Sequence, residues 1–267
     1  MKKINFILLV LFFVLSCSSG KENSTVRSPV VGKATWKKES KANNANAASF
    51  ERYITEYLRS GANNEFRAKF EQAILDYTEA LKFDNENHSV YVLRANARYQ
   101  VRDYVGAIRD ADIAISLSPK RADAYTIRGM AHMQLRRYEM AFSSYRQALS
   151  VDPNFAPAYL NMGKAALVLS RYEMAIADFS EAIRLMPSMF EAYGLRSFAL
   201  KRVGREGEAL RDANKMIDMQ PLFHDGYYVR AQILLDAGKN LDACSDLFKA
   251  AELGSLEARS LVVRFCE

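Results

Sequence analysis

Residues 156–189 read APAYLNMGKAALVLSRYEMAIADFSEAIRLMPSM, and residues 190–223 read FEAYGLRSFALKRVGREGEALRDANKMIDMQPLF. Aligned without a gap, the two stretches share Tyr159 with Tyr193, Ala175 with Ala209 and Pro187 with Pro221. The spacing continues in both directions. Tyr57, Tyr91, Tyr125, Tyr159, Tyr193 and Tyr227 stand at one constant interval, and Ala73, Ala107, Ala141, Ala175, Ala209 and Ala243 repeat the same interval. Pro119 and Pro153 extend the proline column, and Asn85 takes that place in the first repeat. Tyrosine is only 14 of 267 residues, so a match in every repeat excludes coincidence. A period of about 34 residues marks a stacked repeat protein.

The residues between the columns say what each repeat is. Gly61, Ala95, Gly129, Gly163, Ser197 and Ala231 lie one helical turn after each tyrosine, on one face of a first helix, where small side chains admit a neighbouring helix. Each column alanine is followed one turn later by Tyr77, Ala111, Tyr145, Phe179, Ala213 or Leu247, and two turns later by Ala80, Ala114, Ala148, Ala182, Met216 or Ala250. That is the buried stripe of a second helix. The proline then stops the second helix.

This pattern resembles the tetratricopeptide repeat from Ile54 to Gly254, with tyrosine where the family usually has tryptophan. The resemblance implies an all-α fold, a right-handed superhelical solenoid of six helix-turn-helix repeats. The repeats are 54–87, 88–121, 122–155, 156–189, 190–223 and 224–257, within an array spanning 48–257. A capping helix in 255–267, begun by Ser255 after Gly254, would cover the last apolar face. The resemblance also implies a concave groove lined by first helices, where partner peptides or helices lie. The residues at those places include Val92, Asn96, Tyr99, Gln100, Thr126, Met130, Met133, Gln134, Leu160, Lys164, Leu167, Val168, Phe198, Lys201 and Arg202. They predict an apolar floor with Asn, Gln and Lys among it and a basic edge at Lys201 and Arg202. Methionine and aromatic side chains adapt to varied partners. The alternative, that Met130, Met133, Leu160 and Leu167 pack inside the array, stays open at this level.

Two further columns carry charge. The seventh place of successive repeats reads Ser60, Arg94, Arg128, Met162, Arg196 and Arg230, with Arg264 in the cap; the twenty-third reads Asp76, Asp110, Ser144, Asp178, Asp212 and Asp246. The repeat that lacks the acid is followed by the repeat that lacks the base. Pairing between repeats is therefore expected: Asp76–Arg94, Asp110–Arg128, Asp178–Arg196, Asp212–Arg230 and Asp246–Arg264.

The N-terminus belongs to another class. Met1, Lys2 and Lys3 precede an apolar run from Phe6 to Leu15, too short for a membrane span of about 20 residues but suited to a secretory signal, residues 1–16. Val14-Leu15-Ser16-Cys17 resembles the lipobox of bacterial lipoproteins, which implies a lipidated Cys17 and a chain held at the bacterial cell envelope, in the outer membrane if Ser18 sorts it as in enteric bacteria. Residues 17–47, rich in Ser, Lys, Asn and Ala, are expected to be a flexible basic tether. The basic excess of the chain lies ahead of residue 51, and in residues 51–267 acids and bases balance. A neutral folded body is a poor match for nucleic acid. Cys244 and Cys266 remain, either as a disulfide of an exported protein or as two buried thiols. His88, His132 and His224 fall in different repeats without metal-ligand spacing, and no phosphate loop or nucleophile elbow occurs. The expected function is a non-catalytic protein–protein scaffold or adaptor without cofactor; the alternative is an accessory lipoprotein carrying a small apolar ligand.

Overall fold

The computed structural model describes residues 66–266. The expected signal, Cys17 with its tether, and the first helix of the first repeat (Tyr57, Ser60, Gly61) lie outside the described residues. Among the described residues there are twelve helices and no strand. They are α1 (Phe66–Phe83), α2 (His88–Gln100), α3 (Tyr104–Leu117), α4 (Ala122–Gln134), α5 (Tyr138–Val151), α6 (Ala156–Val168), α7 (Tyr172–Leu185), α8 (Phe190–Arg202), α9 (Glu206–Met219), α10 (His224–Asp236), α11 (Asn240–Glu252) and α12 (Leu256–Phe265). Each helix packs on the next within two compact units, the first ending at Arg137 and the second beginning at Tyr138.

Local chemistry explains the punctuation. Asn87, Asp103 and Ser255 cap α2, α3 and α12, their side-chain oxygens accepting from the backbone N–H of Val90, Gly106 and Ala258. Such caps satisfy orphan donors of the first turn. In the second to sixth repeats the turn from first to second helix places its fifteenth residue in the left-handed region: Arg102 (φ 67°), Arg136 (57°), Ser170 (56°), Gly204 (78°) and Gly238 (72°). At Arg102 and Arg136 a backbone that suits glycine carries a long side chain.

In the first unit, Phe70, Ala73, Tyr77 and Leu81 of α1 bury against Val90 and Ala97 of α2. Val92 and Ala95 of α2 then meet Ala111 and Ala114 of α3 and Ala124 and Ile127 of α4. In the second unit, Ala141, Ala175, Ala209 and Ala243 are all fully buried. A Cβ at Gly163 of α6 would come within 2.6 Å of the Phe179 ring of α7, so the ring occupies the space that glycine leaves. Two of the column tyrosines are anchored by their hydroxyls: Tyr193 donates to the Pro187 carbonyl at 3.3 Å and Tyr227 to the Pro221 carbonyl at 3.2 Å. The α12 cap buries Ala258 and Val262 against Ala231, Leu247 and Ala250. Cys244 and Cys266 are joined in a disulfide, with Cα atoms 5.7 Å apart, tying the end of α12 to α11.

Candidate partner-binding surface

The charged columns form an arginine clamp, not the expected ladder. Arg94 of α2 donates Nε and Nη2 to the two carboxylate oxygens of Asp110 on α3, each at 2.8 Å. Its Nη1 reaches back to the Thr78 hydroxyl of α1 at 3.0 Å. Arg196 of α8 repeats the pattern with Asp212 (2.8 and 2.7 Å) and Ser180 (3.0 Å). Arg230 of α10 does so with Asp246 (2.8 and 2.7 Å) and Asn214 (2.7 Å). Each guanidinium also lies over the column tyrosine one turn before it, Tyr91, Tyr193 or Tyr227, 5.4 to 5.9 Å from the ring centroid. The carboxylate therefore comes from the second helix of the arginine's own repeat, and a further acceptor from the second helix of the repeat before.

This overturns the expected pairs Asp76–Arg94, Asp110–Arg128, Asp178–Arg196, Asp212–Arg230 and Asp246–Arg264. Asp76 accepts instead from Gln72 at 2.9 Å, and Arg264 lies over the Phe265 ring. Arg128 donates to Asp112, the acid that takes the Thr78 place in the next repeat, at 2.8 Å. The reason is geometric: a first helix sits between two second helices, and its seventh side chain reaches both. The coincident losses at Ser144 and Met162 have different consequences. Where Ser144 replaces the acid, Asp112 supplies one to Arg128. Where Met162 replaces the arginine, Asp178 is left buried, and its Oδ2 has no hydrogen-bond partner among the described residues. Burial pushes its pKa up to about 7.

The groove candidates divide by unit. In the first, Asn96, Tyr99, Met130 and Met133 are half-buried and Gln100 and Gln134 exposed, whereas Val92 and Thr126 are interior. Thr126 spends its hydroxyl on the Ala122 carbonyl. The Gln134 amide donates to the Tyr99 hydroxyl at 3.1 Å, and the Tyr99 ring tilts against Tyr104 with centroids 5.6 Å apart. Burial raises the Tyr99 phenol pKa, with the Gln134 bond opposing the rise. This unit therefore offers a neutral strip of amides, thioethers and a phenol along α2 and α4.

In the second unit Phe198 and Lys164 are half-buried and Val168 and Arg202 exposed. Leu160 is only 8% and Leu167 1% exposed, so both belong to the interior and Leu160 is no part of a groove floor. The free basic edge is also corrected. Lys201 pairs with Asp236 at 2.8 Å, and Arg202 lies over the Tyr172 ring at 5.1 Å. Lys164 is likewise held by Glu191 at 2.7 Å. Sequence reasoning missed Glu191 and Asp236. Their signal was an acid on the next first helix, with Asp236 standing beyond Lys201 at the interval that separates Gln134 from Tyr99.

Residues 122–155 and 156–188 each match the tetratricopeptide repeat profile. A comparison with curated protein sequences finds no match. Among solved structures, the chain is similar to YrrB at 21% identity, covering 70% of this chain and 97% of that one with a TM-score of 0.57. It is similar to MamA from Desulfovibrio magneticus RS-1 at 17% identity, 62% and 94% coverage and a TM-score of 0.57. A chain of the APC/C hetero-tetramer Cut9–Hcn1 matches at 16% identity, with 84% of this chain, 46% of that chain and a TM-score of 0.66. These likenesses concern the fold. With the repeat matches, the regular tyrosine and alanine columns and the packed all-α hairpins together, the chain is a tetratricopeptide-repeat protein.

Proposed function

We propose that this protein is a non-catalytic scaffold of the bacterial cell envelope, anchored through a lipidated Cys17, that holds a partner peptide or helix against its first helices. The observation that carries the reading is the strip in the first unit. Tyr99, Met130 and Met133 are half-buried without being interior, and Gln100 and Gln134 stand beside them with amide groups able to bond a peptide backbone. YrrB, similar in fold, is described as a TPR protein with an unusual peptide-binding site, which supports the same reading. The paired Lys164–Glu191 and Lys201–Asp236 reduce net charge in the second unit, so contacts there would be to neutral or mixed-charge segments.

A small apolar ligand has less support. The cavity of about 230 Å³ in the second unit is lined by Arg196, Arg205, Glu208, Arg211 and Asp212 beside Ile176, Ser180 and Leu200. Apolar ligands favour predominantly apolar walls. The test is site-specific photo-crosslinking in cells, with the reactive group at Met133 and, as control, at exposed Ser150 on α5. A discrete adduct from position 133 that Tyr99→Ala weakens supports the groove. Equal adducts from both positions, or none at 133, would refute it.

A further inference from the structure

In three repeats the carboxylate at the twenty-third place is closed by two short bonds from one guanidinium: Asp110 by Arg94, Asp212 by Arg196 and Asp246 by Arg230. The fourth repeat, residues 156–189, keeps the acid and has lost the base. Met162 of α6 stands where the arginine would be, and Asp178 of α7 is 7% exposed, with Oδ2 unpartnered among the described residues. A polar group in that position carries the full cost of desolvation, and more when charged.

The helices packed against α7 are α6 and α8. Their charges are committed elsewhere: Lys164 to Glu191, Arg196 to Asp212 and Ser180, Lys201 to Asp236, and Arg202 over Tyr172. On α7 itself, Glu173 holds Arg205 and Glu181 holds Arg184. On α5, which packs on α6, Glu139 holds Arg171, and Arg146 is exposed at the place that Thr78, Asp112, Ser180 and Asn214 take in other repeats. None of these closes on Asp178.

We propose that the fourth repeat is a proton-gated joint: its α6–α7 packing is firm while Asp178 holds a proton and loosens when that proton leaves, whereas the arginine-clamped repeats do not respond. A protonated carboxyl is neutral and can donate a bond, so it tolerates burial beside Met162; the carboxylate does not. Because the folded-state pKa lies above the unfolded one, the stabilisation is fully present below the ordinary carboxylate range and is lost as pH rises through about 7. The joint lies inside the array, between groove candidates Lys164 on α6 and Phe198 on α8, so its loosening would change how firmly those first helices are held.

Two measurements on the full chain test this. The Asp178 carboxyl is titrated by ¹³C NMR of aspartate-labelled protein, assigned by its absence in Asp178→Asn. Hydrogen exchange of peptides covering 160–182 is followed from pH 5.5 to 8.5, corrected for intrinsic rates, in wild type, Asp178→Asn and Met162→Arg. The expected result is a carboxyl titrating near neutrality and a loss of wild-type protection of about tenfold or more across that range, since each pKa unit is worth tenfold. The loss should shrink to about twofold or less in both variants by the same reasoning. A carboxyl that titrates below pH 5, or the same pH profile in wild type and Asp178→Asn, would overturn the proposal. Should either variant fail to fold, the wild-type titration decides.

Discussion

Replacing Asp110 by alanine should cost more stability than any other single acid of the first unit. The side chain is 2% exposed and accepts two 2.8 Å bonds from Arg94, and Nη1 of Arg98 stands 3.3 Å away. Alanine leaves two guanidiniums facing a vacated site, with Arg94 keeping only its bond to Thr78 and its place over Tyr91. Breaking one side of a buried ion pair costs about 3–5 kcal/mol. Arg94 is still 12% exposed and retains Thr78, which places the expected loss near the lower end, about 3 kcal/mol. Urea unfolding followed by circular dichroism reads the loss as a lower midpoint at unchanged slope. A double-mutant cycle then assigns the partner. Arg94→Met, which copies the residue at position 162, should couple to Asp110→Ala by about 1–3 kcal/mol, whereas Arg128→Met should add to it within about 0.5 kcal/mol. A coupling to Arg128 as large as that to Arg94, or a cost below about 1 kcal/mol for Asp110→Ala, would refute clamping within the repeat.

Gly163→Ala should destabilise by about 1–2 kcal/mol despite the better helix propensity of alanine, because the new methyl overlaps the buried Phe179 ring; Phe179→Leu in the same chain should recover part of the loss in thermal unfolding. Arg136→Gly should raise the urea midpoint by an amount equivalent to about 0.5–1 kcal/mol, since φ is 57° there, whereas Gly204→Ala at φ 78° should lower it by a similar amount. Reducing Cys244–Cys266, or replacing both by serine, should cost about 3 kcal/mol from the loop it closes and raise hydrogen exchange first in α12. Cys17→Ala should release the protein from the membrane fraction and abolish acyl labelling; unchanged partition and mass would remove the anchor from the proposed function.

Much of this protein is written along its chain. The small-residue and alanine columns name which side chains are interior, and the structure buries Ala95, Ala175, Phe179 and Leu247 as that pattern demands. Such columns are legible because burial follows from the helix period alone: a residue on the inner stripe is covered whatever neighbour covers it. The turn between the paired helices is nearly as legible through Gly204 and Gly238, though Arg102 and Arg136 hide the same backbone behind a side chain that gives no sign of it.

Partner choice is different. The columns at places seven and twenty-three establish that an arginine and an aspartate recur, but Ser144 lies ahead of Arg128 by almost the same length of chain as Asp110 lies behind it, and no period distinguishes the two directions. Only the packed hairpin shows that the seventh side chain lies between two second helices: Arg94, Arg196 and Arg230 take a carboxylate from their own repeat and a further acceptor from the one before, whereas Arg128 takes its carboxylate from the one before. The same holds for the inner face. Position marks Leu160 and Lys201 as groove candidates, yet depth of packing withdraws Leu160 into the interior and Asp236 neutralises Lys201. Sequence alone determined the repeat, its helices and its buried stripes, because those depend on local period. Tertiary structure decided which charges meet and which acid is left alone, because a bond depends on the distance between side chains from separate helices.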